Sequence, residues 1–231
     1  MNYTELQVTT NFSFLRGASH PEELIEQAVV SGYSIIAITD RNSLAGIVRA
    51  HAAAKKAGIR IIVGCRLDLL DGLSLLAYPT NLAAYSQLCN LLTTGNRRAE
   101  KGECHLYKKD VYQYARDLIF IVLPPEELNQ LSDFDSSIAI ALEEYHTVLG
   151  TNLYIGASRR YKGDDSKYLY RLAMLAARLK IPMVATNDVH YHHPGRRQLQ
   201  DIVTCIREKC TIYTAGFRLH PNAERYLKPG K

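Results

Sequence analysis

The 231-residue chain is 47 % hydrophobic and 22 % charged with a formal net charge of +5, a composition that does not suggest disorder and suits one large α/β barrel or two small domains. That modest positive charge attracts polyanions without selecting one. Five cysteines and no Cys-x-x-Cys pair exclude a disulfide framework and a zinc knuckle, and read as reduced core thiols.

No stretch has the apolar length of a bilayer span, and Met1-Asn2-Tyr3-Thr4-Glu5 lacks the basic-then-apolar pattern of a secretory leader. A cytoplasmic protein with no membrane contact is expected. Residues 6–10 alternate and are rich in β-branched side chains, predicting a first strand that runs into a loop over 11–18. Ser19-His20-Pro21-Glu22-Glu23 opens a helix with a capping candidate, a first-turn proline and two acids at the positive end of the dipole, and Gly32 closes it. Residues 34–39 are almost all apolar, as in a strand buried on both faces, and Asp40 stands at their end.

Asn42-Ser43 predicts the start of a helix that reaches Ala57 and stops at Gly58, before a strand over 60–64. Two short strands flank Asp71-Gly72 within 67–78, and a helix over 81–92 puts Leu82, Tyr85, Leu88, Cys89 and Leu92 on one face. Residues 94–105 read as the longest loop. Helices follow over 108–115, 137–148 and 164–180, with strands over 118–123, halted by Pro124-Pro125, and 152–157.

The run Met183-Val184-Ala185 is a short interior strand that ends in Asn187, Asp188 and His190. The carboxyl ends of strands are where α/β sheets keep their chemistry. Asp188 and His190 are two apart, so an extended chain projects both from one face, where they could share a metal ion. Asp40 occupies the same kind of position. A helix over 195–207 follows, and the polar residues 216–231 have no core pattern of their own, as at a cut inside a longer polypeptide. Seven principal strands with a helix after most of them define an α/β chain with parallel pairing. No Gly-x-Gly-x-x-Gly follows the first strand, which favours a barrel over a dinucleotide-binding open sheet.

Three stretches carry a family resemblance: Leu6-Gln7-Val8-Thr9-Thr10-Asn11-Phe12-Ser13-Phe14-Leu15-Arg16-Gly17, Ala37-Ile38-Thr39-Asp40-Arg41-Asn42-Ser43-Leu44 and Ala185-Thr186-Asn187-Asp188-Val189-His190-Tyr191. With Val63-Gly64-Cys65 they resemble the PHP (polymerase and histidinol phosphatase) domain at the N-terminus of bacterial C-family DNA polymerase alpha subunits. Gly102-Glu103-Cys104-His105-Leu106 and Gly195-Arg196-Arg197-Gln198-Leu199-Gln200-Asp201 are most similar to its error-prone, damage-inducible branch. The resemblance implies a distorted (β/α)7 barrel over residues 1–195, with 196–231 as a helix and tail leading toward a polymerase palm region. It implies a parent DNA-directed DNA polymerase of translesion synthesis, DNA repair and damage-induced mutagenesis. The implied partners are DNA, the palm and thumb of the same chain, and other translesion proteins.

The same resemblance shows what is missing. An active member carries His-x-His in the first strand where this chain has Gln7 and Thr9, and Asp-His where it has Asp40-Arg41. Arg66 stands where an acidic ligand is expected, and Gly156 falls at the ligand after the sixth strand. Asp40, Asp188 and His190 alone match the metal pattern. An amide and a hydroxyl in place of two imidazoles remove most transition-metal affinity, leaving at most residual Mn²⁺, Zn²⁺ or Mg²⁺ binding. Arg41 and Arg66 are expected to fill the pocket with permanent charge and to pair with Asp40 and Asp188.

His192 and His193 are assigned to an exposed loop, and no catalytic residue is assigned. The leading reading is thus a catalytically silent PHP domain. The alternative is a metal-dependent phosphoesterase or 3′-5′ exonuclease. A third reading is DNA binding by three basic clusters: Arg97, Arg98 and Lys101; Arg159, Arg160 and Lys162; and Arg196 with Arg197.

Overall fold

Short apolar strands alternate with amphipathic helices through the chain, whose computed structural model describes residues 3–128, 134 and 136–230. Met1, Asn2 and Lys231, on which the readings of the two termini partly rest, lie outside the described residues. In order the elements are α1 (Pro21–Val30), β1 (Ile35–Ile38), α2 (Ile47–Ala57), β2 (Arg60–Val63), β3 (Cys65–Leu67), β4 (Leu75–Pro79), α3 (Leu82–Arg97) and α4 (Lys108–Tyr114). Then come β5 (Leu118–Val122), α5 (Ser136–Leu149), β6 (Leu153–Ser158), α6 (Asp165–Leu179), β7 (Met183–Thr186) and α7 (Arg197–Arg207). Among the described residues no helix is long and apolar enough to cross a membrane. The chain divides into two units, one of residues 1–64, 160–162 and 186–231 and the other of 65–159 and 163–185.

In the first unit β1 and β2 pair in parallel, from Ile35 opposite Arg60 to Ile38 opposite Val63. Residues 6–10, expected as a full strand, do not form one: the segment from Glu5 pairs only through single bridges, Glu5 with Ile36 and Val8 with Val189. Side chains take two of its amides: Glu5 Oε1, within the segment, accepts from the Gln7 amide (2.9 Å), and the Thr39 hydroxyl accepts from the Val8 amide (2.9 Å). Val8, Leu24, Ile25, Ile36, Ile38 and Val189 form the core of this unit together with Leu227 from the polar tail. Each such aliphatic side chain contributes about 1.5–3 kcal/mol when removed from water. Helix α2 starts at Ile47, later than Asn42-Ser43 predicts. Asn42 is left-handed (φ 47°), and the chain wraps the Asp40 carboxylate so closely that a Cβ on Gly46 would lie 2.5 Å from Asp40 Oδ2.

In the second unit the sheet order is β3-β4-β5-β6-β7. The turn around Asp71-Gly72 reverses the chain as expected, so β4 runs antiparallel to β3 and also to β5, whereas β5 and β6 are parallel. The expectation of parallel pairing throughout is corrected at β4, because a hairpin this short leaves no room for a crossover. Among the described residues seven strands are present, but β3 joins the count and residues 6–10 leave it. The described strands hydrogen-bond as these two sheets and not as one closed ring. Helix α3 runs on to Arg97 through part of the predicted loop. Gly95 lies within it because a Cβ there would meet Cys104 Sγ and Leu106 Cδ2 at 2.6 Å: the glycine permits close packing and does not end the helix.

Candidate metal centre

The first unit brings Asp188 and His190 together, with His190 Nε2 3.3 Å from Asp188 Oδ1, although the backbone at Asp188 is not the extended one that their spacing assumes. Asp188 is left-handed (φ 50°), a conformation that aspartate tolerates better than most residues. Its carboxylate is already engaged: Gln7 Nε2 donates to Oδ1 (2.7 Å), and Arg225 Nη1 donates to Oδ2. Both members of the ion pair are largely buried, with side chains 12 % and 15 % exposed for Arg225 and Asp188. Gln7 is fixed by the Thr186 hydroxyl, which donates to its Oε1 (2.9 Å). His190 packs edge-on against His220, with ring centroids 5.4 Å apart.

The tail holds this arrangement from its backbone as well. The Arg225 carbonyl accepts from the His190 amide (2.8 Å), and the Tyr226 carbonyl accepts from Asn187 Nδ2 (2.8 Å). Lys228 donates to Asn187 Oδ1 (2.8 Å) and lies over the rings of Tyr161 and Tyr226, 5.1 and 4.9 Å from their centroids. Burial pushes the Lys228 ammonium below its usual range. Arg225 escapes sequence reasoning because it stands in a polar stretch 37 residues from Asp188. The one signal is Tyr226-Leu227, an apolar pair that can anchor such a stretch to a core.

Asp40 is buried at the end of β1, and its carboxylate accepts from the Thr10 amide (2.8 Å), the Thr10 hydroxyl (2.8 Å) and the Ser13 hydroxyl (2.7 Å). Burial raises its carboxyl above the ordinary range against the pull of those hydrogen bonds. The Arg41 amide donates to Ser13 Oγ (2.9 Å), tying the loop after Asp40 to the same hydroxyl. Thr9, where the resemblance expects an imidazole, is buried. Nearby Glu5 is buried too, and desolvation lifts its carboxyl although Gln7, Tyr3 and Asn187 all donate to it.

Several expected roles change. Arg66, in the second unit, donates to Asp68 (2.8 Å) and Ser74 (3.4 Å). Its expected ion pair with Asp40 or Asp188 goes instead to the acid two residues along its own strand exit, which projects from the same face. Gly156 on β6 is closely packed: a Cβ would lie 3.2 Å from Ile121 Cγ2 and 3.3 Å from the Val122 carbonyl oxygen, so a larger residue would need its neighbours to shift. His192 is half-buried and bonded to the Ser19 hydroxyl (2.8 Å), and burial lowers its imidazole below the usual range; His193 is exposed.

Among the basic clusters, Arg98 makes a two-pronged pair with Asp110 (2.5 and 3.0 Å), Arg196 pairs with Glu23, and Arg197 pairs with Asp201 (2.7 Å). Arg197 also donates to the carbonyls of His220 and Asn222. These three arginines tie elements together. Arg97, Lys101 and Arg159 are exposed, and Arg160 is half-buried with its carbonyl accepting from Asn222.

The donor set does not fit a hydrolytic metal centre. Such a centre takes about three protein ligands and an open position for water. Among the described residues no three His, Cys, Asp or Glu side chains gather so as to hold an ion. An ion approaching Asp188 would have to displace a guanidinium that never loses its charge.

A family profile described as PHP domain matches residues 5–160. The chain is 49 % identical over 229 residues to Error-prone DNA polymerase 2 of Agrobacterium fabrum, covering 99 % of this chain and 20 % of the relative. It is 50 % identical over 227 residues to the Error-prone DNA polymerase of Caulobacter vibrioides, covering 98 % and 20 %. The chain thus spans about a fifth of the length of the curated relatives it matches. Among solved structures it is similar to a putative metal-dependent phosphoesterase from Bifidobacterium adolescentis (TM-score 0.57, 16 % identity, 81 % of this chain and 87 % of that one). It is also similar to an amidohydrolase from Chromobacterium violaceum with bound sulfate and no metal (TM-score 0.59, 15 % identity, again 81 % and 87 %). At such identities the likeness is one of fold.

Proposed function

This chain belongs to the PHP domain family and has its α/β fold, and from that membership we propose that it is the catalytically silent PHP domain of an error-prone DNA polymerase. The carrying observation is the Asp188 carboxylate, held between Gln7 and Arg225. A fixed guanidinium supplies the positive charge that divalent ions would supply in a hydrolytic relative, but it cannot activate water as a metal does. The residual ligands Asp40, Asp188 and His190 therefore act as a structural lock. Arg41 beside Asp40 adds permanent charge, and Arg225 takes over the part expected of Arg66.

In this reading residues 1–195 are the PHP barrel, and 196–231 lead toward a palm region in the longer polymerase. That polymerase is a cytoplasmic DNA-directed enzyme of damage-induced synthesis. DNA and the palm and thumb of the same chain are its nearest partners, with other translesion proteins beside them. Isothermal titration with Mn²⁺ and with Zn²⁺ tests the silent site: no stoichiometric uptake is expected, and two or more ions per chain would sink it. Mn²⁺-dependent release of nucleotides from single-stranded DNA, abolished by Asp188→Ala, would install the exonuclease in its place.

A further inference from the structure

Helix α7 buries Gln200, Thr204 and Cys205 and leaves Leu199, Ile202 and Ile206 exposed. Its end turns through Lys209, which is left-handed (φ 50°). The Lys209 amide donates to the Ile206 carbonyl (3.3 Å), and the Cys210 amide donates to the Cys205 carbonyl (3.0 Å). Two such bonds around a left-handed residue are the Schellman ending of a helix, which brings the second side chain past the helix against the one five residues before it. An apolar contact commonly fills these two positions. Here both are cysteine.

The two thiols hydrogen-bond to one another, and burial followed by that bond pushes the Cys205 thiol up. The backbone bond by itself keeps their α-carbons within the span of about 7 Å that a disulfide tolerates. Cys205 is 7 % exposed and Cys210 is half-buried, so an oxidant arriving from solvent meets Cys210 first. The remaining thiols are turned to other groups. Cys65 and Cys104 donate to the carbonyls of Arg66 (3.7 Å) and Leu92 (4.0 Å), and Cys89 bonds to the Tyr85 hydroxyl.

We propose that Cys205 and Cys210 form a reversible redox modification site, closed to a disulfide by hydrogen peroxide and reopened by a dithiol. The Cys210 thiolate attacks a peroxide oxygen: the O–O bond breaks and an S–O bond forms. The departing hydroxide takes up the proton that Cys210 gave up and leaves as water, and Cys210 becomes a sulfenic acid. The Cys205 sulfur then attacks the Cys210 sulfur while its own proton passes to the leaving hydroxyl. An S–S bond forms, the S–O bond breaks and a second water departs. The two sulfurs lose two electrons, and the peroxide gains them. A dithiol restores both thiols through a mixed disulfide and is itself oxidised to a cyclic disulfide. Closure needs no unfolding, because the capping bonds already hold the pair together, and the chemistry does not depend on the polymerase reading.

The test treats the folded 231-residue chain with a small molar excess of hydrogen peroxide, quenches it with iodoacetamide and reads intact mass and tryptic peptides. The chain should lose about two mass units, the two thiol hydrogens, and keep its other three cysteines open to alkylation. Trypsin cuts after Arg207 and Lys209, between the pair, so the bridge appears as two joined peptides that dithiothreitol separates. Cys65, Cys89 and Cys104 should be consumed at least about tenfold more slowly. Cys205→Ala should leave Cys210 as a sulfenic acid that dimedone labels, and Cys210→Ser should remove the mass loss. Should Cys205→Ala unfold the chain, Cys210→Ser at the half-buried position carries the comparison. Even loss of all five thiols, oxidation that begins at Cys89 or Cys104, or a bridge between two chains overturns the site.

Discussion

Truncating Arg225 would leave the largely buried Asp188 carboxylate with the Gln7 amide and the His190 ring but without its guanidinium. Breaking one side of such a pair costs about 3 kcal/mol, and we expect that loss for Arg225→Ala in chemical denaturation. Asp188→Asn introduced beside it should return part of the loss, because the uncompensated charge goes with it. Purely additive losses in the double variant would show that the two groups do not act as a pair. Burial raises the Glu5 carboxyl above its ordinary 4.5 and Asp40 above its ordinary 3.8. A carboxyl raised by folding holds its proton more tightly in the folded chain. Its contribution is full below the ordinary value and is lost as pH climbs through the folded one. The denaturation midpoint should therefore fall as pH rises from 4.5. Glu5→Gln keeps an acceptor for the Gln7 and Asn187 amides and should flatten that fall. Asp110, held low chiefly by its hydrogen bonds from Arg98, acts in the opposite sense, and its contribution disappears as pH drops below 3.8.

Between elements, close approach and ion pairing decide more than propensity does. A Cβ on Gly17 would lie 2.3 Å from the Thr10 carbonyl oxygen and 2.8 Å from that of Thr9, both rigid backbone atoms. Gly17→Ala should destabilise by about 2–3 kcal/mol, read as a lowered thermal midpoint. Arg98→Gln should also lower that midpoint, because Asp110 at the start of α4 loses its two-pronged partner, whereas exposed Arg97→Gln should not. Gly58 stands where the residue pattern puts it, because such a signal acts over one helical turn. Residues 6–10 were less legible. Their β-branched alternation predicts a strand, but side chains of Glu5 and Thr39 take amides that a regular ladder would use. The inverted polarity of α7 is invisible to a periodicity that gives the spacing of apolar residues without saying which face turns inward.

For the molecule as a whole, Arg97, Lys101 and Arg159 are the members of the predicted basic clusters that stay exposed in the second unit once Arg98 is paired. If they track phosphates, replacing all three with glutamine should flatten the salt dependence of single-stranded DNA binding by roughly two to three units of slope. An unchanged slope would leave these cations as solvated charge. The family was readable from short local motifs. The lock on Asp188 was not, because its cation arrives from the far end of the chain and only folding brings it there.

That tail has a practical consequence for anyone cloning the domain. The family profile stops at residue 160, yet Leu227 shares a core with Val8, Leu24 and Ile36, and the Lys228 carbonyl accepts from the Tyr33 hydroxyl (2.8 Å). A gene truncated at codon 160 would yield a polypeptide with its apolar interior open to solvent, destined for inclusion bodies. One carried through codon 228 should stay in the supernatant after lysis.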